Sequence, residues 1–293
     1  MCYLKIQVIA EEKAVFQSTL RDTVYVEGIG VHSGELCHAK IHPAEKDTGI
    51  VFVDEKTKKQ VRANYKNVAN SILCTKLIGD ITVSTVEHVS SALYGLNITN
   101  AIIEVDNSEM PILDGSALEF VNKIAEVGTE RQMAPRKALK IAKTIRLDDG
   151  DKWITFTPSD SLSINIKCDF SSKGLKTEPF KFDFSEDDYE AEIAFARTFG
   201  FFEDVDFLRK NNLALGASLD NTVVFDKNGK PLNKEGLRAE NEPIRHKALD
   251  AIGDLAMSEY QIIGKYEAFC PSHKLNNMIL RMLFSDTRNY EIF

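Results

Sequence analysis

The sequence predicts an α+β protein of two similar domains, each a layered sandwich of β-sheet and helix, with an active site at the interface between them. Three observations predict this. The first is length, since 293 residues is ample for two domains. The second is an internal repeat. One copy runs from His88 through VSSALYGLNITNAIIEV, the other from His246 through KALDAIGDLAMSEYQIIGKY. Each has a His, a helical run with Gly near its end, a polar turn and an Ile-Ile strand. The third is what precedes each copy, a hairpin-like stretch ending at Pro: VYVEGIGVHSGELCHAKIHPA and ALKIAKTIRLDDGDKWITFTPSD. Both halves therefore alternate β, helix and β. They join near Gln132–Arg136, which gives domains 1–134 and 135–293.

The amino-terminal stretch MCYLKIQVIAEEKAVF contains acids and no cleavage pattern, so it reads as no secretory signal. Next comes GIGVHSG, residues 28–34, close to a dinucleotide fingerprint. Its third Gly is one place late, and LCHAKIHP after it alternates like a strand. It reads as a Gly-rich hairpin bend, with His32 either in a surface turn or aimed into a site. Ser84-x-x-Glu87 has the form of a capping box for the helix over Val89–Leu96. Asp114-Gly115 is a turn, and Ser116-x-x-Glu119 a second capping box, so that stretch is given a structural role.

In the second half, Glu242, His246, Asp250 and Asp254 recur every fourth residue. On a helix they form one polar row, opposite Ile244, Leu249, Ile252 and Leu255. The row is either a solvated charged face or part of a metal site, because His and a carboxylate four apart aim at one place. One His and one Asp do not complete such a site, so another stretch must contribute. His88 is one candidate. His273, in a turn after the apolar run Ile262–Ala268, is another.

Composition sets limits. Hydrophobic residues make up 43% and charged residues 27%, ordinary for a globular chain. The net charge of −8 argues against nucleic acid as a partner. No apolar run is long enough to span a bilayer. The five Cys are odd in number, widely spread and without a C-x-x-C, which fits reduced thiols in a cytoplasmic protein and offers no Cys-based metal site.

From about Thr19 to about Leu283 the chain resembles the zinc-dependent UDP-3-O-acyl-N-acetylglucosamine deacetylases of lipid A biosynthesis in Gram-negative bacteria. The resemblance rests on GIGVHSG (28–34), STVEH (84–88), EMPILDGSA (109–117), ARTFGF (196–201), LGAS (215–218), IRHKALDAIGDL (244–255) and SHKLNN (272–277), in that order. It implies one Zn²⁺ held by His88, His246 and Asp250, with a place left for water; Fe²⁺ binds similar ligands. It implies Glu87 as general base, which displaces the capping reading. His273 is implied as the second catalytic residue, paired with Asp254, and Thr198 as a hydroxyl near the oxyanion. Lys247 is placed near the sugar diphosphate, and Phe199 beside the substrate. The acyl chain is expected in an apolar passage built by the βαβ-like insert 201–226. Phe202, Val205, Ala214, Thr222 and Val224 match its walls, and Ala214, Gly216, Ala217 and Ser218 leave room for it. Glu242 receives no catalytic role and is assigned to surface or capping. A nucleotide-sugar lipid is the expected partner, and a monomer the expected state.

Two rivals remain open. One is a zinc amidase acting on a different N-acetylated sugar, which shares the ligands and base but needs neither the insert nor Lys247. The other is a non-catalytic binding protein with a structural metal. Structural zinc takes four protein ligands, often Cys, and the sequence offers no evident fourth.

Overall fold

A computed structural model of the chain describes residues 15–69 and 73–293. The readings made on the first 14 residues, the absent secretory signal and the reduced Cys2, lie outside them.

The first half begins with β1 (Phe16–Leu20), then the hairpin β2 (Val24–Ile29) and β3 (Leu36–Pro43), then β4 (Ile50–Asp54) and β5 (Gln60–Arg62). A small hairpin, β6 (Lys76–Ile78) and β7 (Thr82–Ser84), leads into helix α1 (Glu87–Gly95). Strand β8 (Ala101–Val105), helix α2 (Leu118–Val127) and β9 (Thr129–Pro135) complete it. The second half runs β10 (Ala138–Ile141), β11 (Ile145–Asp149), β12 (Lys152–Thr157), β13 (Leu162–Lys167) and β14 (Phe180–Asp183). After a π-turn at Glu190–Ala194 come β15 (Phe199–Phe201), α3 (Val205–Lys210), β16 (Val223–Phe225), α4 (Glu242–Leu255), β17 (Gln261–Phe269), α5 (His273–Phe284) and β18 (Tyr290–Ile292).

Alternation of buried and open residues makes the strands one-faced. In β17 every second residue is buried, from Ile262 to Ala268. The first sheet has the order β2-β3-β8-β4-β5, with neighbours antiparallel, antiparallel, parallel and antiparallel. In the second half β11-β12-β17-β13-β14 follow the same order and the same directions. There the start of β17 also pairs with β10, which β18 extends. β1 and β9 form a separate ribbon in which Phe16 faces Pro135, at the 134/135 boundary read from sequence.

Helices α1 and α4 pack on each other. Gly253 allows this, because a Cβ there would sit 2.0 Å from the Glu87 carbonyl oxygen. All of α1 from Glu87 to Tyr94 is buried, so its polar residues need internal partners. One continuous apolar core runs through both halves, from Phe52 and Phe120 to Phe156 and Tyr266. A second cluster, Leu175, Val223 and Phe225, underlies the insert, with Phe170, Phe199 and Phe201 against it. Among the described residues no helix is long and apolar enough to cross a membrane.

Both capping boxes fail. Helix α1 starts at Glu87 itself, and no side chain caps it. Ser84 lies in β7, its hydroxyl donating to the Ser108 carbonyl. Helix α2 starts at Leu118 after Ala117. The Ser116 hydroxyl accepts from Leu118 N–H and donates to Asp114, so it steadies the turn rather than closing a box with Glu119.

Candidate active site

The polar row of α4 is not solvated. Glu242, His246, Asp250 and Asp254 are 0%, 2%, 5% and 3% exposed, while Ile244, Leu249, Ile252 and Leu255 pack into the core behind them. A buried row of this kind must be paired or must hold a ligand.

His88, at the start of α1, meets this row where the two helices face each other. One donor atom from each of His88, His246 and Asp250 lies within 4.8 Å of the other two. His246 Nε2 is 3.3 Å from Asp250 Oδ1, and His88 Nε2 is 3.9 Å from the same oxygen. Ligands at zinc–nitrogen and zinc–oxygen lengths of 2.0–2.1 Å around a tetrahedral ion sit about 3.3 Å apart, so the first spacing fits and the second needs a small closure. His246 Nδ1–H donates to the Ala196 carbonyl at 3.0 Å, which leaves Nε2 with its lone pair free. Burial and the neighbouring His246 push the His88 imidazole down to about 3, and burial lowers His246 too. Both rings are therefore neutral, the form that binds metal. His88 Nδ1 is buried without a hydrogen-bond partner. The cluster has the chemistry of a cation site: two neutral imidazoles, and a carboxylate that burial opposes but His246, Lys247 and His273 hold well below the usual range.

Glu87 adjoins this cluster on one side and His273, the first residue of α5, on the other. Glu87 Oε2 accepts from Thr75 N–H at 2.9 Å, and its Oε1 lies 3.7 Å from His273 Nε2. Burial pushes the Glu87 carboxyl up to about 8, helped by Asp254 and Asp250 and opposed by His273. His273 Nδ1–H donates to Asp254 Oδ2 at 2.9 Å. Burial works against a charged imidazole, but Asp254 and Glu87 overcome it and raise His273 to about 10. Asp254 is in turn held by the Thr75 hydroxyl and by Asn276 Nδ2 at 2.7 Å. Thr75 and Asn276 escaped the sequence reading. Asn276 lies within SHKLNN, but nothing marked it as the third member of this cluster, and Thr75 lies in no motif.

Lys247 Nζ donates to Asp250 Oδ2 at 3.0 Å, leaving Oδ1 toward the two imidazoles. It also lies 5.8 Å from the centre of the Phe199 ring, which packs edge-on to His246. Thr198 is half-buried beside them, its backbone tied to Gly115 and Val223. His32 is not in a plain surface turn. It is half-buried, its Nδ1 accepts from Ala214 N–H at 3.4 Å, and burial together with the charge of His273 lowers its pKa against Glu109. Glu109 is another residue the sequence did not single out. Its carboxylate accepts from His32 N–H and Ser33 N–H, both at 2.8 Å, and so shapes the 28–34 bend.

Two readings need correction. Glu242 is neither surface nor cap. Its carboxylate accepts from Arg197 Nε at 2.9 Å, from Arg197 N–H at 3.0 Å and from Arg238 N–H at 2.7 Å. Its partner is 45 residues away, beyond what helical spacing reveals. Gly216 does not leave its space to a chain. A Cβ there would meet the Gly30 carbonyl at 2.3 Å, so the room is taken by the first-half bend, to which Gly216 N–H and Leu215 N–H bond. In the rest of the insert, Phe202 is 62% exposed and Ser218 is exposed; Val205, Ala214, Ala217 and Val224 are half-buried. Thr222 is buried, its hydroxyl bonded to Asn221. β15 and β16 pair in parallel around α3, as a βαβ reading expects. Phe202, Phe207, Leu215 and Leu219 are large apolar residues of the insert that are left exposed.

The arrangement is a buried set of ligands that could hold a metal ion, with a second carboxylate on one side and a charged imidazole beyond it. Comparison with known proteins decides the family. The model of the UDP-3-O-acyl N-acetylglycosamine deacetylase family matches residues 17–285, nearly the whole chain. This chain belongs to that family. Curated UDP-3-O-acyl-N-acetylglucosamine deacetylases agree. The one from Psychrobacter sp. (strain PRwf-1) is 42% identical over 281 residues, 94% of each chain. Those from Pseudomonas entomophila (strain L48) and Colwellia psychrerythraea (strain 34H / ATCC BAA-681) are 43% and 44% identical, over 94% of this chain and 92% of theirs.

Proposed function

We infer that this chain is the deacetylase that removes the N-acetyl group of UDP-3-O-(3-hydroxyacyl)-N-acetylglucosamine, releasing acetate and a free amine for lipid A biosynthesis. The observation that carries the reading is the buried convergence of His88, His246 and Asp250 next to Glu87, in a chain of this family. These three residues would hold a zinc ion, with Fe²⁺ as the competing metal. When bound, the ion supplies Lewis acidity to a water molecule and to the acetyl carbonyl.

The side chains do the rest. Glu87, anchored through Oε2 to Thr75 N–H, keeps Oε1 to accept a proton from the attacking water. Burial pushes the Glu87 carboxyl up to about 8, and a bound dication would favour its ionised form. His273 stays charged through Asp254, and so offers a proton to the departing amine and a positive partner to the developing oxyanion. Thr198 would add a hydroxyl for the oxyanion. The attack forms one C–O bond and breaks the C–N bond. The proton taken from water and the one given to nitrogen balance. Lys247 would meet the sugar diphosphate as a compact positive charge, although here it is bonded to Asp250.

The matching strand orders of the two sheets support a division into like domains, 1–134 and 135–293, with the site at their seam. The exposed apolar side chains of the insert, Phe202 among them, support it as the acyl passage, together with the half-buried Val205, Ala214 and Val224. A cytoplasmic location and a monomer complete the reading. The test is zinc per chain in the purified protein, with deacetylation of the UDP-acyl-sugar assayed alongside. The wild type should hold one equivalent, and His246→Ala should lose both metal and turnover, since two ligands make a poor site. A His246→Ala protein with a full equivalent and normal turnover refutes the ligand assignment. Preference for unacylated N-acetylglucosamine would favour the amidase rival.

A further inference from the structure

We propose that Glu242 is a positioning residue for His246, acting through a single peptide group. The peptide between Ala196 and Arg197 is gripped at both ends by α4. Its C=O accepts from His246 Nδ1–H at 3.0 Å. Its N–H donates to Glu242 Oε1, also at 3.0 Å. A trans peptide is planar and points its N–H and C=O in opposite directions. Glu242 and His246 are one helical turn apart on the same face. The two side chains and the peptide therefore close a ring on the helix, and fixing one end fixes the other.

Burial makes this ring stiff. Glu242 is 0% exposed and Arg197 3%. The guanidinium spreads its donors over Glu242, Glu235 and the Gly236 carbonyl. The other Glu242 oxygen takes Arg238 N–H at 2.7 Å. Each carboxylate oxygen thus faces donors only, a set that Gln, with one acceptor and one donor, cannot satisfy. The Ala196 carbonyl is held where it keeps the His246 proton on Nδ1 and Nε2 free toward Asp250. The hydrogen bond made by the remote nitrogen sets a metal-binding histidine's tautomer and aim, and losing such a partner costs 10–100-fold in metal affinity as a general scale.

The proposal rests on the zinc reading of this site. The experiment measures zinc affinity by chelator competition on wild type, Glu242→Gln and Glu242→Asp, with the visible spectrum of each cobalt-loaded protein. Glu242→Asp retains the charge that Arg197 needs but falls one methylene short of the peptide N–H. Circular dichroism reports the fold. Expected are two folded variants whose zinc dissociation constants rise at least about 10-fold, with shifted cobalt bands. Folded variants with wild-type affinity and spectrum would overturn the proposal. Failure of both to fold would also overturn it, making the pair a folding element instead. If wild type itself binds no zinc, the metal reading fails rather than this one.

Discussion

Glu87 is where local sequence rules and the fold disagree most. Its spacing from Ser84 matches a cap, yet Ser84 is spent on a strand and the Glu87 carboxylate is turned toward Thr75 and His273. If it is the base, Glu87→Gln should keep zinc and substrate affinity and lose roughly 10²-fold or more in kcat. Near-normal turnover of the metal-loaded variant would return Glu87 to a structural part. The imidazole beyond it is set by Asp254. If the rate needs His273 charged, it should fall as pH rises through the His273 pKa, which Asp254 and Glu87 raise to about 10. Removing the negative charge in Asp254→Asn disfavours the imidazolium, and the alkaline limb should move to lower pH. A kcat/KM–pH profile that changes only in height would separate the two residues. At this scale the sequence carried the residue types and the family's order of motifs. It did not carry burial, which is why Glu242 reads as surface or capping and Thr75 passes unseen.

Among the elements, the α1–α4 pair was the most legible. The four-residue polar row and its apolar back gave α4, and the repeat pointed to α1. What the repeat could not give was how closely the helices approach. That depends on Gly253, which the pattern marked only as a late glycine. By helix propensity alone, Gly253→Ala should stabilise by up to about 1 kcal/mol. The added Cβ would lie 2.0 Å from the Glu87 carbonyl oxygen, a backbone atom with nowhere to move. Overpacking of this sort costs about 1–3 kcal/mol. We expect calorimetry to show a Tm lower by several degrees, with activity reduced because Glu87 and His88 ride on α1. A higher Tm would mean the helices have slack. Strands β10 and β18 were less readable, since the pairing that makes them joins residues far apart in the chain.

For the whole molecule, the sequence did not reveal how the second half of the chain reaches back onto the first. The bend 28–34 and the insert 214–216 dock through backbone hydrogen bonds from Leu215 and Gly216 to His32 and Val31. Glycines face each other there, because Gly30 and Gly216 bring main chain against main chain. Such a contact leaves no hydrophobic periodicity and no charge pattern, so only the fold reveals it. If the acyl passage is formed by the exposed apolar residues of the insert that this docking anchors, loosening the dock should harm long-chain substrates selectively. Gly216→Val puts a branched side chain where a Cβ already meets the Gly30 carbonyl at 2.3 Å. The proposed metal ligands, Glu87 and His273 lie on α1, α4 and α5, outside the contact, so metal content should hold. Each methylene that loses its apolar wall forfeits about 0.8 kcal/mol, and several together amount to orders of magnitude in kcat/KM for a long acyl chain. A short-chain analogue that never reaches those residues should lose little. The comparison is kcat/KM for long and short acyl substrates on both proteins. Equal losses on the two would mean that the dock supports the catalytic groups themselves, and an unchanged long-chain rate would place the passage elsewhere.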